Sequence, residues 1–512
     1  MTKDKSSPLT LSPTDRSQQS RIRLPLPLVL GNADYRKREA ELRRMDEILA
    51  VSGIEADFIA HEVQDVVAEL KKKGRELTDR HRAHVQGFAA KSLRCSVARI
   101  LANESHRDFS CHLAESALLQ WFCRCDTLGA VRVPAKSTLQ RMESEVPAEV
   151  LTRLNRLLLE SATKVDEEGE STLDLRIPVE LSMIWLDSTC AKLDIHYPAD
   201  WTLLRDATRS IMAAILVIRR HGLAHRMPDP QTFVAEMNRL AMAMSGASRR
   251  GRGPNKKPER KRVLRAMKRV VRKVQEHGRR YRDLLEKDWK DSDLTIAQAR
   301  RIIDRIDRLL SRLPAAIKQA HDRIIGERVI PNEGKMLSLY EPHAKVYVRG
   351  KAGADAEFGL QLLLGESAEG LIVDCLLNET VANDTTLLVP AVERIRQAHG
   401  VQAATTVIGD RGFSSAANVA TLAKLGVIDA TLPRSPAQMK EFLKDRGNRD
   451  LHQRRAQTEA RIGVFKENFL GDQLPTKGFE NQKRFVAWAV LAHNLWVMAR
   501  MERAEPALAK AS

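Results

Sequence analysis

Residues 452–466 read HQRRAQTEARIGVFK, and this stretch decides how the rest of the chain is interpreted. A helix turns by about 100° per residue, which places His452, Arg455, Glu459 and Lys466 within about 60° of one another. One face of the predicted helix therefore carries a lone carboxylate with an imidazole and two cations beside it. Such a face indicates either a solvent-exposed helix with an Arg–Glu pair one turn apart, or a metal-binding carboxylate with cations placed for phosphate. The second interpretation gains weight only if further carboxylates follow buried strands.

Two aspartates meet that condition. Residues 179–187 (VELSMIWLD) and 405–410 (TTVIGD) are short, mostly apolar runs that end in an acid, as buried central strands do. An aspartate after a strand can also serve only as a turn former or a cap. Neighbouring strands of a mixed sheet lie about 4.8 Å apart, so Asp187 and Asp410 could share one hard cation. A following helix could bring Glu459 to the same edge, where three carboxylates can hold two Mg²⁺ ions.

The composition narrows the class of partner. A length of 512 residues predicts several domains. There are 84 Lys and Arg against 66 Asp and Glu, and the resulting net charge of +18 predicts a polyanionic partner. Ribosomal and membrane-surface proteins can be equally basic. Aromatic residues make up only 4%, which argues against a stacking platform for single strands. The six cysteines lack zinc-finger spacing and indicate reduced thiols in a cytosolic protein, and no apolar run is long enough to cross a membrane.

The N-terminal part of the chain is predicted to be helical. Residues 1–30 have the composition of a disordered tail. Apolar residues then recur at helical spacing over 34–73, 80–104 and 109–121, and a further helix opens at Pro134. We therefore expect a helical N-terminal DNA-binding domain at 31–150. Its last helix, with Lys136 and Arg141, could enter a major groove, or could belong to an ordinary helical hairpin whose polar face meets water.

A strongly basic stretch lies inside a second helical region, which we expect at 201–330. Between Ser248 and Arg282 there are 16 Lys and Arg but only two acids. A charge run is often only a solvated face, but this imbalance is too large for internal salt bridges and predicts contact with phosphate. The candidate DNA-binding residues at the start of this stretch are Arg249, Arg250, Arg252, Lys256 and Lys257.

Strand patterns return after Pro331 and alternate with helical ones. The predicted strands are 345–348, 358–364, 371–377 and 427–432, and the predicted helices are 384–399, 416–425 and 485–501. The sequence thus predicts an α/β core, a mixed sheet flanked by helices, built from 175–200 and 335–502. An all-α N-terminal domain precedes this core, a large helical insertion interrupts it, and a flexible tail follows at 503–512.

Three blocks of sequence resemble those of one known family. They are Leu186-Asp-Ser-Thr189 with residues 195–200 (IHYPAD), residues 407–413 (VIGDRGF), and Arg455-(three)-Glu459-(six)-Lys466. Their combination is similar to DDE transposases of bacterial insertion sequences, in the branch with a helical insertion after the first Asp. The family usually has Tyr where this chain has His452. The resemblance covers about 180–500 and, more weakly, 80–145, and it implies a ribonuclease H-like catalytic core.

The resemblance also implies roles for individual residues. Asp187, Asp410 and Glu459 would be the catalytic ligands of Mg²⁺ or Mn²⁺. DNA contacts would come from Arg455 and Lys466, with His452 and Arg411 as further candidates; His196, Tyr197 and Arg411 are expected near the substrate. Competing acids are present at Asp200, Asp374, Asp384 and Glu467. Of these, Asp384 opens a predicted helix and is expected to cap it, and Glu467 lies off the face that carries Glu459.

The expected function is therefore that of a DNA transposase. It would bind the double-stranded terminal repeats of its element, cleave them and join the freed 3′ ends to target DNA, as a homodimer in a synaptic complex within the bacterial cytoplasm, associated with the nucleoid. Two alternatives stay open. One is a catalytically silent DNA-binding protein derived from a transposase, and the other is a ribonuclease H-like nuclease without strand transfer.

Overall fold

The computed structural model describes residue 26 and residues 28–127, 130–197, 199–249, 256–348 and 356–504. Most of the tails expected at 1–30 and 503–512 lies outside these residues, as do Arg250 and Arg252. Two compact units are distinguished. The first consists of Met1–Ala191, Gln361–Asn378 and Ala382–Ser512, and the second of Lys192–Leu360 and Glu379–Val381. The domain boundaries that the sequence suggested stay a prediction.

Helices form most of the described chain. In chain order they are α1 (Ala33–Val51), α2 (Ile54–Lys72), α3 (Asp79–Ala102), α4 (His106–Glu115), α5 (Ala117–Phe122), α6 (Lys136–Ser144), α7 (Ala148–Thr163), α8 (Asp200–Arg220), α9 (Pro230–Arg249), α10 (Lys256–Asp288), α11 (Ile296–Ile324), α12 (Asp384–His399), α13 (Ala416–Lys424), α14 (Pro436–Phe442), α15 (Arg446–Phe465) and α16 (Phe479–Ala499). A π-helix, Lys466–Leu470, continues α15, and short 3₁₀ turns lie at Trp289–Asp291 and Asn332–Gly334.

The first helices show how local sequence interrupts a continuous helical pattern. Apolar residues recur at helical spacing over 34–73, and within this stretch the chain turns at Gly53, whose φ of +75° lies in the left-handed region that favours glycine. A second interruption falls at Ser116, which ends α4 and whose side chain accepts the N–H of Leu119 as the cap of α5. Both breaks depend on one residue, which periodicity over a longer window does not detect.

Six strands form a mixed sheet, and two more form a separate small ribbon. The strands are β1 (Asp126–Thr127), β2 (Ala130–Val131), β3 (Met183–Lys192), β4 (Lys345–Val348), β5 (Ala356–Glu366), β6 (Ile372–Asn378), β7 (Thr406–Ile408) and β8 (Ile428–Asp429). In the first unit the order is β6-β5-β3-β7-β8, with β5–β6 antiparallel and β3–β7–β8 parallel. In the second unit β4 pairs antiparallel with the first residues of β5. The chain is thus mostly helical with an α/β core, as the sequence predicted.

One strand differs from the prediction in a way that matters for the site. The sequence predicted that Asp187 ends its strand, and this is wrong: β3 continues to Lys192, so Asp187 lies near its middle. The sequence analysis took Asp187 itself as the end of the apolar run. In the structure Thr189, Cys190 and Ala191 are buried, and burial of these side chains keeps the backbone extended in the sheet.

The second unit has its own core, built by α8–α11. The apolar stripes of these helices meet around Ile211, Met267 and Leu313, all buried. Asp200, one of the competing acids, is buried here and accepts hydrogen bonds from Gln319 (3.0 Å) and Arg323 (2.9 Å). None of the described helices combines the length and apolar character that a membrane span needs.

Candidate active site

Two neighbouring parallel strands bring Asp187 and Asp410 together. The pairs of β3 and β7 are Met183 with Thr406, Ile184 with Val407, and Trp185 with Ile408. Carried two residues further, the same register sets Asp187 beside Asp410, just past the end of β7. Adjacent strands lie about 4.8 Å apart. The two aspartates predicted from separate apolar runs therefore lie side by side on neighbouring strands.

Asp187 also interacts electrostatically with the third predicted acid. Burial raises the pKa of Asp187 to about 6, the positive charge of Arg455 lowers this pKa, and the carboxylates of Asp410 and Glu459 raise it. Each of these groups must lie close to Asp187 to exert such an effect. The structure thus brings Asp187, Asp410, Glu459 and Arg455 into one neighbourhood within the first unit.

The carboxylate of Glu459 is held by its own helix. Nη2 of Arg455 donates a hydrogen bond to Oε1 of Glu459 at 2.7 Å, and the Glu459 side chain is 44% exposed. Nε of Arg455 is buried and has no hydrogen-bond partner in the described part of the chain. Within those same residues, no three His, Cys, Asp or Glu side chains are gathered to hold a metal ion. The hard carboxylate oxygens of Asp187 and Asp410 suit Mg²⁺, while Glu459 is turned toward a guanidinium instead.

Other arginines fix the Glu459 helix, α15, on the sheet. The guanidinium of Arg454 lies 3.8 Å from the ring centre of Trp185 in β3 and donates to the carbonyl of Ser367 at 3.0 Å. Two turns further on, Arg461 pairs with the buried carboxylate of Glu366 at 2.6 Å. These contacts place the helix against the face of β3 that carries Trp185, and alternation along a strand puts Asp187 on the same face.

Lys466 reaches that face as well. Its Nζ lies 3.2 Å from the hydroxyl of Thr189, which is two residues beyond Asp187 and therefore points to the same side of β3. Lys466 is also the first residue of the π-helix, a distortion that is frequent at functional sites. Lys466 and Arg455 thus supply positive charge on the side of the sheet where Asp187 lies.

His452 has a different environment from the one the sequence suggested. Its Nε2 lies 2.9 Å from the carbonyl oxygen of Ala430 and must donate to it, and its ring packs edge-on against Phe442. Burial lowers the pKa of His452, and the charge of Arg455 lowers it further. This placement favours anchoring of α15 over the predicted DNA contact.

Asp384 is a residue that sequence reasoning placed in the wrong role. The N-cap of α12 is Asn383, and Asp384 is the first helical residue rather than the cap. Its carboxylate accepts a hydrogen bond from Ser188 and lies close enough to Asp410 for that charge to raise its pKa, after burial, which is the larger cause. An acid in the first turn is so common in helices that the sequence offered no distinguishing signal.

The remaining candidates that the structure describes lie on other helices, strands and loops. Lys136 and Arg141 are exposed on α6, which fits either interpretation of that helix. Lys257, on α10 of the second unit, pairs with Glu327 at 2.8 Å, and Tyr197 is exposed in the same unit. Asp374 is paired with Arg394. The side chains of Arg249 and Lys256, and all of Arg250 and Arg252, lie outside the described residues.

Comparison with known proteins finds a family model that matches part of the chain. Residues 326–495 match the family model described as the transposase DDE domain, and this range contains Asp384, Asp410 and Glu459. The chain therefore carries a DDE transposase domain of the kind found in insertion elements, which confirms the resemblance noted in the sequence. No curated protein and no solved structure matches the chain.

Proposed function

We propose that this protein is a DNA transposase whose ribonuclease H-like core cleaves the ends of an insertion sequence and transfers the freed 3′ ends to target DNA. The observation that carries the proposal is the shared register of Asp187 and Asp410 on parallel strands, with Glu459 close enough to act on the pKa of Asp187. The family match over 326–495 supports the same activity.

The acids are proposed to hold divalent cations. Asp187, Asp410 and Glu459 offer hard oxygen donors, which suit Mg²⁺ or Mn²⁺. Arg455 already supplies positive charge among them, so their chemistry suits a cation. Bound ions would activate the attacking water or hydroxyl and stabilise the leaving oxygen. For Glu459 to join the aspartates it must exchange its partner Arg455, and the released guanidinium is then available to a DNA phosphate near Lys466.

The reaction proceeds in two balanced displacements at phosphorus. In the first, the oxygen of water bonds to the phosphorus at the element end, the bond to the 3′ oxygen breaks, and that oxygen leaves as a hydroxyl with a proton. In the second, this 3′ hydroxyl oxygen attacks a phosphorus of target DNA and displaces the target's own 3′ oxygen. The first step is a hydrolysis, and in the second one phosphodiester is formed as one is broken, the proton of the attacking hydroxyl passing to the displaced oxygen through solvent. The joining step therefore needs no external energy source.

Positive charge in both units supports double-stranded DNA as the partner. The net charge is +18, and α10 carries exposed cations. Exposed Lys257 and half-buried Lys261 of this helix are both paired with Glu327. We propose that α6 of the first unit and α10 of the second contact the phosphates of terminal repeats and target DNA. A homodimer that joins two element ends in a synaptic complex, acting at the bacterial nucleoid, completes the proposal.

The test is cleavage of duplex DNA taken from the regions that flank the gene, with Mg²⁺ or Mn²⁺. Asp187→Asn and Glu459→Gln are expected to abolish cleavage while DNA binding in a gel-shift assay survives. Glu467→Gln is the matched control, since this exposed acid lies just after α15 and should leave cleavage unchanged.

Each other outcome selects an alternative. Full cleavage by Asp187→Asn or Glu459→Gln refutes the assignment of these residues. Cleavage without joined products identifies a ribonuclease H-like nuclease without strand transfer. Binding of terminal-repeat DNA without cleavage in either metal identifies a catalytically silent DNA-binding protein.

A further inference from the structure

Asp384 approaches the proposed cation site from a direction that the three predicted acids leave open. Ser188 and Asp187 are successive residues of β3, so their side chains point to opposite faces of the sheet. Glu459 belongs to the helix that packs on the Asp187 face, through Arg454 and Trp185. The Asp384 carboxylate accepts a hydrogen bond from Ser188 and therefore lies on the face of the sheet opposite to that of Asp187.

Asp410, just beyond the end of its strand, is close to that carboxylate. Oδ1 of Asp410 accepts the N–H of Gly412 at 2.7 Å. A Cβ added at Gly412 would lie 2.8 Å from this Oδ1 and 2.9 Å from Oδ2 of Asp384. Both carboxylates thus border the same small space, and no side chain larger than hydrogen fits between them. Two negative charges held this close repel each other unless a cation is bound near them.

The position of Asp384 is fixed by a buried side chain. Gln361, which is 4% exposed, donates through Nε2 to the carbonyl of Ala382 at 2.9 Å and to Oδ1 of Asp384 at 3.4 Å. Its Oε1 accepts from the N–H of Ala382 at 2.9 Å and from Asn378 at 3.2 Å. These hydrogen bonds hold the turn before α12 against β5. They fix the position of Asp384 beside Ser188 and Asp410.

We propose that Asp384 is a positioning residue of the cation site, which holds Ser188 and the Asp410–Gly412 turn from the back of the sheet and strengthens divalent-cation binding with its negative charge. The proposal rests on the proposed function, because it concerns the same site. Its rival is an ordinary acid in the first turn of a helix, which stabilises the helix dipole and nothing else.

The experiment measures Mn²⁺ binding directly, from the electron paramagnetic resonance signal of free Mn²⁺ titrated with the full chain without DNA. Asp384→Asn keeps the shape of the side chain and removes its charge, and we expect it to weaken Mn²⁺ affinity about tenfold, as loss of a group that supports metal ligands does. Asp79→Asn is the matched control, since Asp79 is also the first residue of a helix and follows a polar N-cap, Thr78. It should leave Mn²⁺ affinity unchanged.

Two further variants keep every outcome decisive. Unchanged Mn²⁺ affinity in folded Asp384→Asn overturns the proposal. If Asp384→Asn does not fold, Ser188→Ala decides, because it removes only the hydroxyl that Asp384 contacts: weaker Mn²⁺ binding supports the proposal and wild-type binding overturns it. Asp187→Asn separates the two levels of inference. If it too binds Mn²⁺ like the wild type, the proposed cation site fails as a whole; if it loses binding while Asp384→Asn does not, only the role of Asp384 fails.

Discussion

Arg455 and Glu459, one turn apart on the same helix, form an ion pair at 2.7 Å, and the charge of Arg455 also acts on Asp187. The guanidinium is therefore shared between the strand and the helix that carry two of the three predicted acids. The structure shows the first interpretation of this helix face, an ordinary i,i+4 pair, at the place where the second would put a cation site. A divalent cation would compete with Arg455 for the same carboxylates.

The first prediction concerns that competition. Arg455→Ala should raise Mn²⁺ affinity about tenfold, since it removes a positive charge near Asp187 and releases Glu459. Cleavage should nevertheless fall, because the proposed phosphate contact is lost. Arg446→Ala, at an exposed arginine of the same helix that pairs weakly with Asp450, is the control. If Arg455→Ala instead lost Mn²⁺ affinity together with cleavage, Mn²⁺ and Arg455 would not be competing for the same carboxylates.

The second prediction concerns pH. Burial raises the pKa of Asp187 to about 6 in the folded protein, above the value near 4 of an unfolded aspartate. The folded state therefore binds this proton more tightly, and the stability it contributes, at most about 3 kcal/mol, is present below pH 4 and lost as pH rises to about 6.

Thermal melts without divalent cations, of wild type and Asp187→Asn at pH 4.5 and 7.5, check this effect. The variant should be the more stable protein at pH 7.5, and its advantage should shrink at pH 4.5. Acids remote from Asp187 titrate alike in both proteins, and only those coupled to it, such as Asp410 and Glu459, differ. An advantage of Asp187→Asn that is independent of pH would therefore contradict a raised pKa at Asp187.

The third prediction concerns the space between Asp384 and Asp410. Gly412→Ala places a methyl group less than 3 Å from an oxygen of each acid, so the carboxylates must move apart. We expect Mn²⁺ affinity and cleavage to fall at least tenfold, with a stability loss of about 1–2 kcal/mol from overpacking. Gly463→Ala, on α15 with open space around its Cβ position, should be neutral or slightly stabilising. Normal Mn²⁺ binding by Gly412→Ala would show that the space is not part of the site.

The fourth prediction concerns Glu366, the buried carboxylate that pairs with Arg461 at 2.6 Å and lies 3.7 Å from Arg454. Glu366→Gln should lower the free energy of unfolding by about 2–3 kcal/mol, because two arginines lose their counter-charge, although Arg461 is partly exposed. Cleavage should fall more than DNA binding, since α15 carries Glu459. Urea denaturation and cleavage assays measure both, with the exposed Glu441→Gln as control. Full cleavage by a destabilised Glu366→Gln would show that the ion pairs of Glu366 stabilise the fold but are not needed for catalysis.

The sequence was sufficient to single out the three acids as candidates but not to predict their arrangement. An apolar run that ends in an acid is visible in 405–410, because a buried strand must be apolar along its length. Asp187 lies beside Asp410 because of the register between two strands that are distant in sequence. This register cannot be predicted from the local pattern of either strand. The same limit explains the misplaced end of β3, where burial of Thr189 and its neighbours extends the strand past a polar sequence.

Asp384 and His452 show a different limit. For both residues the prediction followed from the neighbouring sequence, whereas the observed environment is set by a contact with another element of the fold. An acid at a helix start suggests a cap, yet the contact with Ser188 comes from a strand far away in sequence. An imidazole on a cationic face suggests contact with phosphate, yet Nε2 of His452 donates a hydrogen bond to the carbonyl of Ala430.

The π-helix Lys466–Leu470 adds a constraint of another kind. Its turn holds about one residue more than an ordinary helical turn. The ring of Phe469, which lies in this turn, packs against the rings of His493 and Trp496 of α16, with centre-to-centre distances of 5.1 and 5.7 Å. Removing a single residue here would restore regular winding and rotate Phe469 away from those rings by about 100°. Homologous chains should therefore vary in composition along this segment while conserving its length.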